Sequence, residues 1–162
     1  MASVFLSLGS NLGDREANIR EALDWLARRP GIALKRVSSF YETAPIGFAD
    51  QPDFINAAAL IETDLDPAAL LHTVVAIESD MGRVRNFQWG PRVMDIDILL
   101  CDRAVINTPE LTIPHPRMME RAFVMAPLAE IAPDLELPDG RKPQEILEGL
   151  KDQRVRKLAE VA

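Results

Sequence analysis

The sequence predicts an α+β fold: a ferredoxin-like β-α-β-β-α-β antiparallel sheet with helices on one face, followed by a C-terminal extension. Three observations carry this expectation. Short β-branched runs alternate with two stretches of helical periodicity, loops rich in Pro and Gly separate them, and the six-element order is complete by Leu100. Val4-Phe5-Leu6-Ser7-Leu8 reads as the first strand, ended by Gly9-Ser10-Asn11-Leu12-Gly13. A helix follows from Asp14, a good N-cap, to Arg29, where Pro30-Gly31 stops it. Ile19, Ala22, Leu23 and Leu26 mark its buried stripe at i, i+3, i+4 and i+7. A second strand is expected over Leu34 to Tyr41, and a third over Phe54 to Thr63, across the loop Thr43 to Pro52. Asp66-Pro67 opens a helix lasting to about Met81, with Pro at the first helical position. The loop Gly82 to Pro91 leads into a fourth strand, Val93 to Leu100.

The extension adds a loop around Pro114-His115-Pro116, a helix from about Met119 to Ile131 and a short helix near Pro143 to Leu150. The charged stretch Lys151 to Lys157 reads as a frayed, solvated end. No repeat, low-complexity tract or linker interrupts the 162 residues, so one domain, residues 1–162, is expected.

Whole-chain properties narrow the function. A formal charge of −7 argues against a nucleic-acid surface, which must be basic. No apolar run approaches the ~20 residues that span a bilayer. The start Met1-Ala2-Ser3-Val4 lacks the basic and apolar regions of a signal peptide. The single cysteine, Cys101, fits a reducing cytoplasm and reads as a buried structural thiol. The basic residues that do exist gather: Arg83, Arg85, Arg92, Arg117 and Arg121 bracket the fourth strand.

That strand holds the strongest chemical signal, Asp95-Ile96-Asp97-Ile98-Leu99-Leu100. Alternation places Ile96, Ile98 and Leu100 on one face and both carboxylates on the other, with Cα atoms roughly 6.5–7 Å apart. Oxygens so spaced can reach two divalent cations about 3.5–4 Å apart, and Mg²⁺ prefers such ligands together with phosphate and water. The alternative is a solvated sheet face on which Asp needs no partner. The nearby arginines are equally open: a salt-bridge network, or neutralisation of phosphate oxygens.

Other residues also carry two readings. Gly9 to Gly13 could present N–H groups to an anion, but it lacks the ending of a P-loop and suits a plain strand-to-helix turn. Phe54 and Asn56 share a strand face, where they either pack locally or stack a heterocycle and bond its edge. Trp89 is a packing residue or a flat platform for a ring. His115 is a loop-surface histidine or a nucleotide contact, while His72 reads as a helix-surface residue.

Taken together, Gly9 to Gly13, Ser38-Ser39-Phe40-Tyr41-Glu42-Thr43, Gln51-Pro52-Asp53-Phe54-Ile55-Asn56-Ala57, Gly82-Arg83-Val84-Arg85, Trp89-Gly90-Pro91-Arg92, Asp95-Ile96-Asp97 and Pro114-His115-Pro116-Arg117-Met118 closely resemble the 6-hydroxymethyl-7,8-dihydropterin pyrophosphokinases of folate biosynthesis. The resemblance runs from Val4 to about Pro138. It implies transfer of pyrophosphate from ATP to the pterin hydroxymethyl group, with two Mg²⁺ ions on Asp95 and Asp97 and Glu78 supporting them. It implies Arg83 and Arg92 as catalytic cations. ATP would be held by Arg83, Arg85, Arg92, Ile98, Thr112, His115 and Arg121. The pterin would lie among Thr43, Pro45, Ile46, Gly47, Phe54, Asn56, Trp89 and Phe123. The expected partners are therefore small molecules, with neither nucleic acid nor membrane, and the expected state is a monomer. The chain departs from familiar members at Phe54, Glu110 and Pro116 and in Asn86-Phe87-Gln88. Two other readings compete. A nucleotidyl transferase built like a polymerase palm would want a basic track, and a ligand-binding regulatory module would leave the aspartates structural.

Overall fold

Residues 1–45, 50–81 and 93–158 are described by the computed structural model. The first strand, β1 (Ala2–Ser10), leads into helix α1 (Arg15–Arg28), whose N-cap Asp14 accepts the Ala17 N–H at 3.2 Å. Ile19, Ala22 and Leu26 are buried as the stripe requires, with Leu23 half-buried beside them. The chain reverses at Gly31, whose φ of 82° favours glycine.

The strand expected over Leu34 to Tyr41 is two strands, β2 (Ile32–Val37) and β3 (Tyr41–Thr43). Both pair antiparallel with β4 (Phe54–Thr63), which has the bounds its sequence predicts. At the break, the Ser38 N–H donates to the Ala58 carbonyl at 2.9 Å and the Ser38 hydroxyl accepts the Ala58 N–H at 2.8 Å. A side chain thus replaces one ladder bond, which leaves Ser38 to Phe40 outside either strand.

Helix α2 (Pro67–Asp80) starts at N-cap Asp66 and leads towards β5 (Asp95–Cys101). A small hairpin, β6 (Ile106–Asn107) and β7 (Thr112–Ile113), precedes a 3-10 turn at Met118–Glu120. Helices α3 (Ala122–Ile131) and α4 (Pro143–Glu148) then lead to β8 (Val155–Lys157). The main sheet runs β5-β1-β4-β3-β8, with β2 on the same edge of β4 as β3, and the pairings are antiparallel.

Helices cover both faces, not one. On the first face Val4, Leu6, Leu8, Ile55, Ala57, Ala59, Ile61, Ile96 and Ile98 pack with α1 and α2 residues such as Ile19, Leu26, Leu70 and Ile77. On the second, Leu99, Leu100 and Phe5 pack with Val124, Met125, Leu128 and Ile146 of α3 and α4. The extension therefore contributes a second core.

Leu100 belongs to that second core, against the expectation that it joins Ile96 and Ile98. Phe5 faces Leu100 and Leu6 faces Ile98, so Leu99 is an extra residue without a partner of its own. One added residue shifts the phase of the strand beyond it, which is the effect of a β-bulge.

The C-terminal stretch is not frayed. β8 pairs with β3, Arg156 bonds Glu42 at 2.7 Å and Arg154 bonds Asp53 at 2.5 Å. Its charges line an exposed edge strand, where they discourage pairing with another chain.

Candidate active site

Strand register places the site on the second face, at the end of β5 away from Leu99 and Leu100. Asp95 lies opposite Gly9 and Asp97 opposite Ser7, so both carboxylates share a face with those residues. Both aspartates are half-buried, whereas Ile96 is buried in the helix-side core. Glu78, a buried carboxylate on α2, accepts the Ile96 N–H at 2.8 Å. It thereby fixes the peptide unit between the two aspartates.

Among the described residues no cluster of three or more His, Cys, Asp or Glu could hold a metal unaided. A pair of carboxylates on a rigid strand nevertheless fits Mg²⁺, which usually takes one or two carboxylates and completes its shell with substrate phosphates and water.

Arg121 and His115 lie beside the aspartates, and Arg121 interacts electrostatically with Asp97 and Asp95. Arg121 precedes α3, and burial presses its pKa below the usual guanidinium value while Asp97, Glu120 and Asp95 hold it charged. Its guanidinium lies 5.3 Å over the Phe123 ring. His115 follows the cis Ile113–Pro114 bond, donates its N–H to the Leu99 carbonyl at 2.9 Å and accepts the Arg117 N–H on Nδ1 at 3.2 Å. Burial, then Arg121 and Arg117, push the His115 pKa down to about 4, so the imidazole is neutral at pH 7. The edge position of β5 makes the Leu99 carbonyl available for this anchor.

The other flank is aromatic and amide in character. Thr43 donates from Oγ1 to Asn56 Oδ1 at 2.6 Å, and both side chains are buried. Phe54 shares their face, opposite Thr43. Gly9 makes this packing possible: a Cβ there would lie 2.6 Å from Asn56 Nδ2 and 3.5 Å from Phe54 Cδ2. Thr43, Pro45 and Phe123 also line a cleft of about 430 Å³, together with Ala44, Asp53 and residues 152–155.

The structure thus gathers Asp95, Asp97, Arg121 and His115 on one side and Thr43, Asn56 and Phe54 on the other, with Phe123 under Arg121. Thr112 lies half-buried on β7, whose hairpin packs beside β5. The Ile98 side chain is not brought to the site: it is buried opposite Leu6 on the helix side, so only its backbone can serve a ligand. Ile46, Gly47, Arg83, Arg85, Trp89 and Arg92 lie outside the described residues. His72 is exposed on α2, as expected.

The glycine-rich turn is a turn. Asn11 Nδ2 donates to Gln51 Oε1 at 2.8 Å and to the Pro52 carbonyl at 3.1 Å, and Asn18 Nδ2 donates to the Leu12 carbonyl at 2.8 Å. Sequence reasoning did not pick out Ser7, and it read Gly9 only as part of the turn that follows the strand. Their signal is positional, since both fall on the strand face opposite Leu6 and Leu8.

Comparison with known proteins identifies the chain's relatives. The chain is 48% identical over 144 residues to the 2-amino-4-hydroxy-6-hydroxymethyldihydropteridine pyrophosphokinase of Pseudomonas aeruginosa, covering 89% of each chain. The enzyme of the same name from Haemophilus influenzae is 42% identical over 158 residues, 98% of this chain and 99% of that one. Among solved structures, a Plasmodium falciparum HPPK-DHPS chain crystallised with pteroate superposes with a TM-score of 0.73 over 91% of this chain. At 16% identity that likeness speaks for the fold, and this chain spans 42% of the Plasmodium chain. The relatives define an enzyme of the pyrophosphokinase class. The chain belongs to the 7,8-dihydro-6-hydroxymethylpterin-pyrophosphokinase (HPPK) family, whose model matches residues 5–133.

Proposed function

We propose that the protein transfers pyrophosphate from ATP to the hydroxymethyl group of 6-hydroxymethyl-7,8-dihydropterin, releasing AMP, in folate biosynthesis. The observation that carries this reading is the pairing of Asp95 and Asp97 on one strand face, their backbone fixed by Glu78, with Arg121 as the facing cation. Asp95 and Asp97 would hold two Mg²⁺ ions, which when bound supply neutralisation of the ATP phosphates. Arg83, Arg85, Arg92, Arg121 and His115 would receive the remaining phosphate and nucleotide groups, with Thr112 and the Ile98 backbone beside them. A neutral His115 can donate from Nε2 to a ligand while Nδ1 stays occupied by the Arg117 N–H.

The pterin ring would stack on Phe54, Phe123 and Trp89, above Pro45, Ile46 and Gly47. Asn56 would bond its polar edge while Thr43 holds the amide. With both substrates fixed, the hydroxymethyl oxygen attacks the β-phosphorus in line and AMP departs. Positioning and charge neutralisation then supply most of the rate, and Arg83 and Arg92 are the groups we assign to the transferring phosphates. We also read the strand order as a ferredoxin-like frame, and the whole chain as one catalytic domain acting as a cytoplasmic monomer.

The test is to mix the protein with Mg²⁺, ATP and 6-hydroxymethyl-7,8-dihydropterin and identify the nucleotide released. AMP with a pterin diphosphate is the expected result. ADP would instead mean single phosphoryl transfer, and absence of product would overturn the assignment.

A further inference from the structure

Helix α3 begins without a cap of its own. Its N-cap residue is Arg121, a side chain of donors that cannot accept a backbone N–H. The first N–H groups of a helix need acceptors, which Ser, Thr, Asp or Asn at the N-cap would ordinarily provide. Here the acceptor comes from 31 residues further along the chain. Gln153 Oε1 accepts the Ala122 N–H at 2.8 Å, and Gln153 Nε2 donates to the Glu120 carbonyl at 2.7 Å. The amide thus grips the backbone on both sides of Arg121. Gln153 is itself held, because its N–H donates to the Leu150 carbonyl at 3.0 Å and the next residues join the sheet edge through Arg154 and β8.

From this geometry we propose that Gln153 is a positioning residue: it fixes the Glu120–Ala122 backbone so that Arg121 faces Asp95 and Asp97 and Phe123 faces the cleft. The arrangement solves a conflict at position 121. A capping side chain there would accept from the second or third N–H of the helix but remove the guanidinium that interacts with Asp97 and Asp95. The chain keeps the cation, and residue 153 satisfies the first N–H of the helix, that of Ala122. Gln153 lies beyond residues 5–133, the part matched to the family, so this support belongs to the extension. It also lines the same cleft as Thr43 and Phe123. The role rests on the reading of Arg121 as an ATP contact and Phe123 as a pterin contact.

The experiment compares Gln153→Ala, Gln153→Met and Arg156→Ala with the wild-type protein. Calorimetry measures affinity for a non-hydrolysable ATP analogue with Mg²⁺, and steady-state kinetics measure KM for both substrates. Gln153→Met keeps the length of the side chain but can make neither hydrogen bond. Both Gln153 variants are expected to weaken analogue binding and raise both KM values by on the order of tenfold, as loss of positioning would. Arg156→Ala removes an ion pair from the same strand segment and is expected to leave both quantities unchanged. In an Arg121→Ala background, adding Gln153→Ala should have no further effect on analogue affinity, since the two residues act as a unit.

Wild-type affinity in Gln153→Met would overturn the proposal, because packing alone would then suffice. Independent, multiplying losses in the double variant would overturn it too, as would equal losses in Arg156→Ala. If the wild-type protein binds the analogue but releases no AMP, the functional reading fails alone, and the affinities still judge Gln153.

Discussion

The two faces of the sheet use the same strands for opposite purposes. On the α1 and α2 side, Leu6, Leu8, Ile55, Ala57, Ile61, Ile96 and Ile98 form a continuous apolar wall. One residue along in each strand, the opposite face presents Ser7, Gly9, Asn56, Asp95 and Asp97, and turns apolar where Phe5 and Leu100 meet the extension. The rigidity required by the second face is supplied by the first. Each aspartate is flanked in sequence by residues buried in the helix-side core, so the carboxylates are anchored without being buried. Damage to stability and damage to chemistry should therefore separate by strand parity.

The largest expected effect tests the polar face. Asp97→Ala should abolish Mg²⁺-dependent turnover while the melting temperature stays close to that of the wild type, because no packed core atom is removed. Retained activity in a stopped assay of AMP release would break the comparison. Its counterpart one residue away in the pairing is Leu6→Ala, on the strand opposite Ile98. This should cost about 2–5 kcal/mol of unfolding free energy in a denaturant titration, with kcat per folded molecule unchanged.

Gly9→Ala sharpens the contrast by adding one methyl to the polar face. With 2.6 Å between the new Cβ and Asn56 Nδ2, the amide must move. The pterin KM should rise by roughly tenfold, with a smaller change in KM for ATP. Equal changes in both would mean that Asn56 does not separate the two subsites.

The smallest effect concerns pH. His115 has its pKa lowered from 6.5 to about 4, so the unfolded chain binds its proton first as the solution is acidified. Stability from this group is fully present above about pH 6.5 and declines as the pH falls to about 4. Allowing for solvent screening, the decline should be about 1–2 kcal/mol. Denaturation profiles of His115→Asn should lack that share of the slope, and an unchanged profile would remove His115 as its source.

Much of this was legible in the sequence for identifiable reasons. β4 is a ten-residue, largely apolar run with Pro52 before it and Asp64 and Asp66-Pro67 after it, so its bounds were readable. Asp14 and Asp66 announced their helices by N-cap chemistry that is local in sequence. The aspartate pair was legible because alternation is a local rule. The phase change at Leu99 was not, since Leu99 and Leu100 are both apolar and either phase satisfies the pattern. β8 was hidden because charge dominates residues 151 to 157, and an edge strand with Arg and Lys facing water resembles a frayed end. The cap from Gln153 joins residues 31 apart and could be seen only in three dimensions. The split between β2 and β3 depended on a serine hydroxyl replacing a main-chain bond, which no periodicity records.

The extra residue in β5 has a consequence for what lengths of chain this protein tolerates. It works as a parity correction: Asp95 and Asp97 keep one alternation, Leu100 and Cys101 keep the other, and the residue between them reconciles the two. Substitutions at Leu99 leave the count intact. Removing one residue there would force a choice, because β5 could match the helices at one end or the extension at the other. The insertion thus lets an acidic half-strand and an apolar half-strand, each with its own partner layer, be written as one uninterrupted stretch of chain.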